Sequence, residues 1–142
     1  MYRFCLTLVT FLSLLSSVNA SADSLRIENA WSPEAPPMAR VMAGYMHITS
    51  NIDKEILIEK ITSPQFKAVE MHRTIQTNGM AMMEWQLHIH VPTGKVTKLE
   101  PGGKHLMLIK PVKRLKAGDK IELNLHLSNQ KQQTVIATVR KD

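Results

Sequence analysis

The stretch Glu70-Met71-His72-Arg73-Thr74-Ile75-Gln76-Thr77-Asn78-Gly79-Met80-Ala81-Met82-Met83-Glu84-Trp85 decides how this chain folds. Asn78 and Gly79 both tolerate positive φ, and together they are the strongest hairpin signal in the sequence. A two-residue turn there sets Thr74 opposite Met83 and His72 opposite Trp85. His72 and Met83 then become diagonal neighbours on one face of the hairpin, within side-chain reach. Met71, Ile75 and Met82 fall on the other face, expected to look toward the core. A slip of one residue would reverse the assignment.

On either side of the hairpin the chain keeps the period of a strand. Leu25 to Trp31 alternates as a half-buried strand does, and Ser32 to Pro37, with three prolines, reads as a loop. Val41 to Thr49, Glu55 to Thr62 and Phe66 to Gln76 are expected strands, with Met80 to His90 the return strand of the hairpin. Pro92-Thr93-Gly94 and Pro101-Gly102-Gly103 are turns. His105 to Lys110, Lys120 to Leu127 and Thr134 to Arg140 complete the set. Ile121, Leu123, Leu125 and Leu127 alternate strictly with polar residues. No segment carries an apolar stripe of helical period over three turns. Short strands punctuated by Gly and Pro predict an all-β domain, an antiparallel sandwich or barrel.

The ends and the composition narrow the class. Arg3, the apolar run Phe4 to Leu15 and the small residues at Val18-Asn19-Ala20 read as a secretory signal peptide, residues 1–20, leaving one domain, residues 21–142. Cys5, the only cysteine, lies inside that segment, ahead of where a lipidated cysteine would stand. The rest has no thiol, hence no disulfide, no cysteine zinc site and no cysteine nucleophile. Arg3 is the one charged residue of the segment, so the charge of +6 becomes +5 without it. Lys110, Lys113, Arg114, Lys116 and Lys120 crowd one region, read as a solvated loop and strand edge; a face for an acidic partner or anionic lipid is the sharper alternative. No aromatic residues interleave with these cations, which argues against nucleic acid. No catalytic acid–base pair stands out, and the chain is not expected to be an enzyme.

Beyond the hairpin, His105 and Met107 stand two apart on one expected strand and so point the same way, with Leu106 and Leu108 turned to the core. Pro101-Gly102-Gly103 lets the chain turn sharply just before them. His72, Met83, His105 and Met107 are the candidate metal ligands. Two imidazoles and two thioethers, with no thiolate or carboxylate, form a soft set that suits Cu(I) better than zinc, calcium or magnesium. A blue-copper electron carrier needs a cysteine thiolate, and residues 21–142 have none. Met38, Met42 and Met46, spaced by four, are expected in or beside the core. His88 and His90 are expected on a solvent face, and His47 and His126 read as ordinary strand histidines. Ser21, the expected first residue after the signal, has no histidine near it to make an amino-terminal copper site.

The spacing H-x10-M-x21-H-x-M, with its flanks A-W-S-P-E-A-P-P, A-G-Y-M-H-I-T-S-N, V-P-T-G, L-E-P-G-G-K-H-L-M-L and G-D-K-I-E-L-N-L, resembles the signature of the PCuAC family of periplasmic copper chaperones. The resemblance runs over nearly all of residues 21–142. It implies a cupredoxin-like Greek-key β-sandwich with Cu(I) held by His72, Met83, His105 and Met107. Met71 counts as an alternate ligand in that pattern, although the hairpin register turns it to the core side. It further implies a monomeric periplasmic protein that delivers copper to the CuA-bearing subunit of cytochrome c oxidase, alongside Sco-type thiol proteins. Relatives with a Met/His-rich C-terminal extension carry a second copper site; T-V-I-A-T-V-R-K-D lacks those residues. A copper buffer for tolerance, with no delivery partner, is the alternative function.

Overall fold

The computed structural model describes residues 23–141; the expected signal segment lies outside them. Ten strands follow in order: β1 (Leu25–Pro33), β2 (Val41–Ser50), β3 (Ile56–Thr62), β4 (Phe66–Thr77), β5 (Met80–Trp85), β6 (Ile89–Val91), β7 (Val96–Leu99), β8 (Lys104–Pro111), β9 (Lys120–Leu127) and β10 (Gln132–Arg140). Among the described residues there is no helix, as the periodicity predicts.

The strands form one continuous ladder, in the order β5-β4-β8-β7-β2-β1-β10-β9-β3-β6, with β8 also paired directly to β2. β2, β9 and β10 bury alternate residues, and among the described residues no helix covers those faces. The sheet therefore folds back on itself, so that its apolar faces meet in one core. β3 and β4, far apart in the ladder, are joined by the short turn of residues 63–65 and lie close together. Thr97 Oγ1 on β7 donates to the carbonyl of His90 on β6 at 2.9 Å, tying the last strand of the ladder back to its first half. Ile121, Leu123, Leu125 and Leu127 are all buried, as their alternation predicts.

Three boundaries differ from the sequence reading. Met80 to His90 is not one strand. β5 stops at Trp85, and Ile89–Val91 crosses over to pair with β3. Its Ile89 and Val91 are buried, whereas every residue of β5 is exposed, so burial pulls the later segment off the hairpin. The predicted loop from Ser32 begins two residues later, because Ser32 and Pro33 align with Val139 and Arg140 of β10. A proline fits there, at the end of a strand. β7, between the two expected turns, is an added strand that places Thr97 and Leu99 inward.

The β1–β10 pair runs parallel rather than antiparallel. Parallel neighbours cannot be joined by a hairpin, and these two are the first and last strands, which need no connection. β1 shifts register between Glu28 and Trp31, where Asn29 has a φ of 52°. Before that shift the Gln133 side chain takes the place of a neighbouring peptide group: it accepts from the Leu25 N–H at 3.0 Å and donates to the Leu25 carbonyl at 2.6 Å.

Candidate metal centre

Asn78 and Gly79 have φ of 51° and 75°, the signs a two-residue hairpin turn requires. The register follows: His72 lies opposite Trp85, and Thr74 opposite Met83. On the other side of β4, His72 aligns with His105 of β8, and Glu70 aligns with Met107. Met107 in turn aligns with Ala43 of β2. Cross-strand partners share a face, so Glu70, His72, Met83, Trp85, His105 and Met107 all lie on the outer side of this part of the sheet. Met71, Leu106 and Leu108, the alternate residues, are buried in the core. The sheet thus gathers all four predicted ligand positions onto three adjacent strands.

The two imidazoles stack, with ring centroids 6.0 Å apart and planes 24° from parallel. His105 is buried and the His72 side chain nearly so, at 12% exposure. Each ring uses one nitrogen in a hydrogen bond. His72 Nε2 donates to Glu70 Oε2 at 2.9 Å, and His105 Nδ1 donates to the Gly103 carbonyl at 3.0 Å. A carboxylate and a carbonyl can only accept, so those two nitrogens carry the protons. In the neutral rings, His72 Nδ1 and His105 Nε2 then each hold a free lone pair. Both are buried, and among the described residues they are the side-chain nitrogen and oxygen atoms left without a partner in the interior. Such atoms are rare in folded proteins, because leaving one unsatisfied costs about 1–3 kcal/mol. A ligand that takes both lone pairs removes that cost.

The thioethers frame the rings unequally. Met83, on the edge strand β5, is 62% exposed, while Met107 is half-buried on β8. The set can offer two neutral nitrogens and two sulfurs from one face. Among the described residues no three His, Cys, Asp or Glu side chains gather to hold a metal ion.

The other candidates separate clearly. Met71 is buried beneath the sheet, away from the ring nitrogens. Met42 and Met46 are core residues, as expected, but Met38 precedes β2, has a φ of 68° and is 94% exposed. Met82 is expected on the core side with Met71 and Ile75; it is 51% exposed, because β5 is an edge strand with β4 as its one neighbour in the ladder. His90 pairs with Glu55 at 2.6 Å on the surface. His126 meets Thr62 Oγ1 at 3.3 Å. Lys110 near the end of β8 remote from His105, Lys113, Arg114 and Lys116 in the loop that follows, and Lys120 at the start of β9 are all exposed.

Sequence reasoning missed two residues of the centre, Glu70 and Gly103. Glu70 was readable in principle, since residues i and i+2 of a strand share a face. The Gly103 carbonyl is placed by the Pro101-Gly102-Gly103 turn. It also accepts the Thr74 N–H at 3.1 Å, which clamps the turn against β4.

An all-β domain with a histidine–methionine face is the class that fold and site define. The chain belongs to the LpqE-like lipoprotein family, whose model matches residues 25–139. Lipoprotein Lxx21020 of Leifsonia xyli subsp. xyli is 28% identical over 109 residues, 76% of this chain; the chain spans 64% of that relative's length. Among solved structures, the copper-bound PCuAC domain from PmoF2 superposes with a TM-score of 0.71 at 20% identity, over 84% of this chain and 95% of that one. The Cu(I) form of DR1885 from Deinococcus radiodurans superposes with a TM-score of 0.69 at 26% identity, over 88% of this chain and 84% of that one. The fold is therefore the cupredoxin-like one of PCuAC domains, as the sequence resemblance implies.

Proposed function

We propose that this protein carries Cu(I) on His72, Met83, His105 and Met107 and passes it to a partner in the periplasm. The observation that carries the reading is the pair of buried, unpartnered ring nitrogens, His72 Nδ1 and His105 Nε2, on the face that also bears the two thioethers. Neutral nitrogens and thioethers are donors for a soft monovalent ion. The copper-bound states of the PmoF2 domain and of DR1885 support the choice of metal. Among the described residues no helix is long and apolar enough to cross a membrane.

Exposure sets the order of transfer. Met83 stands on the edge strand, where an incoming donor reaches it first, and His105 is buried. A partner's thiolate or imidazole displaces the Met83 sulfur, then Met107, and the ring nitrogens release last. No electron moves: one Cu(I)–donor bond breaks as another forms. Direction follows relative affinity, each tenfold being about 1.4 kcal/mol. Thioethers suit an oxidising compartment, since methionine forms no disulfide. The function is carriage rather than catalysis. The destination proposed is the CuA-bearing subunit of cytochrome c oxidase, with Sco-type thiol proteins as co-workers.

Titrating Cu(I) into residues 21–142 against a competing chelator tests the site. One tight site is expected, weakened at least about 100-fold, some 2.7 kcal/mol, by His105→Ala and about tenfold by Met83→Ala. Unchanged affinity in both variants defeats the assignment. For delivery, a deletion strain should lose oxidase assembly; copper sensitivity with intact oxidase would mark a buffer instead.

A further inference from the structure

We infer that Glu70 is a positioning residue that decides which nitrogen of His72 takes the metal. The inference rests on the copper reading above and adds a residue outside the four ligands. A free imidazole can offer either nitrogen. Here the Glu70 carboxylate lies 2.9 Å from His72 Nε2 and, as an acceptor only, holds the proton there. Nδ1 is left as the donor, buried and without a partner, as His105 Nε2 is on the ring stacked beside it. The two histidines therefore bind through unlike nitrogens, His72 through Nδ1 and His105 through Nε2. On His105 the proton is held by a backbone carbonyl, which no side-chain change removes. On His72 it is held by one side chain.

Glu70 supplies more than orientation. Its charge sits on the far side of the ring, which raises the donor strength of Nδ1. It also balances the single positive charge of Cu(I) bound by four neutral ligands. The carboxylate itself is the wrong donor for this ion, being hard where the site is soft. Its side chain is 41% exposed at the mouth of the face, so replacing it leaves the core untouched.

The test pairs Glu70→Leu, which removes the acceptor, with Glu70→Gln, which keeps an acceptor oxygen and removes the charge. Long-range proton–nitrogen NMR reads the histidine tautomers in the metal-free protein, at a pH where the rings are neutral, and the ligating nitrogens after anaerobic loading with Cu(I). In the unaltered protein His72 should be the Nε2–H tautomer and should bind through Nδ1, while His105 binds through Nε2. Glu70→Leu should scramble the His72 tautomer, leave His105 unchanged and weaken Cu(I) about 10- to 100-fold. Glu70→Gln should keep the tautomer and, having lost only the charge, weaken Cu(I) less than Glu70→Leu does. Binding of His72 through Nε2 in the unaltered protein overturns the inference but leaves the copper site standing. So does a Glu70→Leu variant with unchanged tautomer and affinity. Equal losses in both variants with the tautomer kept in Glu70→Gln would make Glu70 a direct ligand instead. If the unaltered protein takes up no Cu(I), the copper reading falls and this one with it.

Discussion

The β4–β8 strand pair has two faces built by opposite rules. The inner face carries Met71, Leu106 and Leu108, all buried and apolar. The outer face carries His72 and His105, also well buried, yet each with a polar atom that nothing among the described residues satisfies. Alternate residues on the same backbone thus serve stability on one side and, in the function proposed, ligand capture on the other. Burying an apolar side chain contributes about 1.5–3 kcal/mol, whereas an unsatisfied buried polar atom costs a comparable amount. The inner face holds the outer one in place, and a ligand would complete the outer one.

That division is broken or sharpened first at Leu106, which has no exposed surface and lies between His105 and Met107 in the chain. Leu106→Ala should cost about 2–5 kcal/mol, read by chemical denaturation of the metal-free protein. His105→Ala, one residue away, should lose copper while leaving the denaturation midpoint nearly unchanged, since it deletes an unsatisfied group along with its packing. If the two variants exchanged phenotypes, the inner and outer roles would be wrongly assigned.

A smaller effect is expected at Gly44 of β2, which aligns with Leu106. A Cβ added there would lie 3.2 Å from Leu106 Cβ, closer than such contacts normally come. Gly44→Ala should therefore destabilise by about 1–3 kcal/mol through overpacking, with β8 pushed away from β2. Because β8 carries both His105 and Met107, copper affinity should fall with it. Unchanged stability would mean that Leu106 can turn aside freely and that the inner face is less closely packed than the comparison requires.

The outer face was legible to an unusual degree because its positions depend on short-range rules. Asn78-Gly79 fixes the register of β4 on β5, and the period of two does the rest for His105 and Met107. What could not be read depends on partners far along the chain. Gln86-Leu87-His88 holds no turn signal, so the switch from β4 to β3 as partner is invisible until the core at Ile89 and Val91 is seen. Val96–Leu99 is too short to announce itself between two turns. The four-residue spacing of Met38, Met42 and Met46 looks uniform, but Met38 falls before the strand begins and turns outward. The ring tautomers depend on a carbonyl, at Gly103, that only the folded turn delivers. Glu70 was in plain view; its role emerges only when the distance to His72 is known.

The smallest expected effect is the sharpest locator. Trp85 lies opposite His72, one strand away on the same face, and is 57% exposed. The other tryptophan, Trp31 on β1, is separated from β8 by β2, and it packs against Tyr45, ring centroids 5.0 Å apart, with the Arg140 guanidinium 5.7 Å from its ring. Copper held between β4 and β8 should perturb Trp85 far more than Trp31. Trp85→Phe should thus abolish most of the change in tryptophan fluorescence on loading Cu(I). It should alter affinity by no more than about 0.5 kcal/mol, roughly twofold, as an exposed substitution outside the ligand set. Trp31→Phe should leave the change intact. The reverse pattern would place the metal on the β1 side of the sheet, where among the described residues no buried ring nitrogen is left without a partner, and the contrast between the two faces of β4 and β8 would lose its meaning.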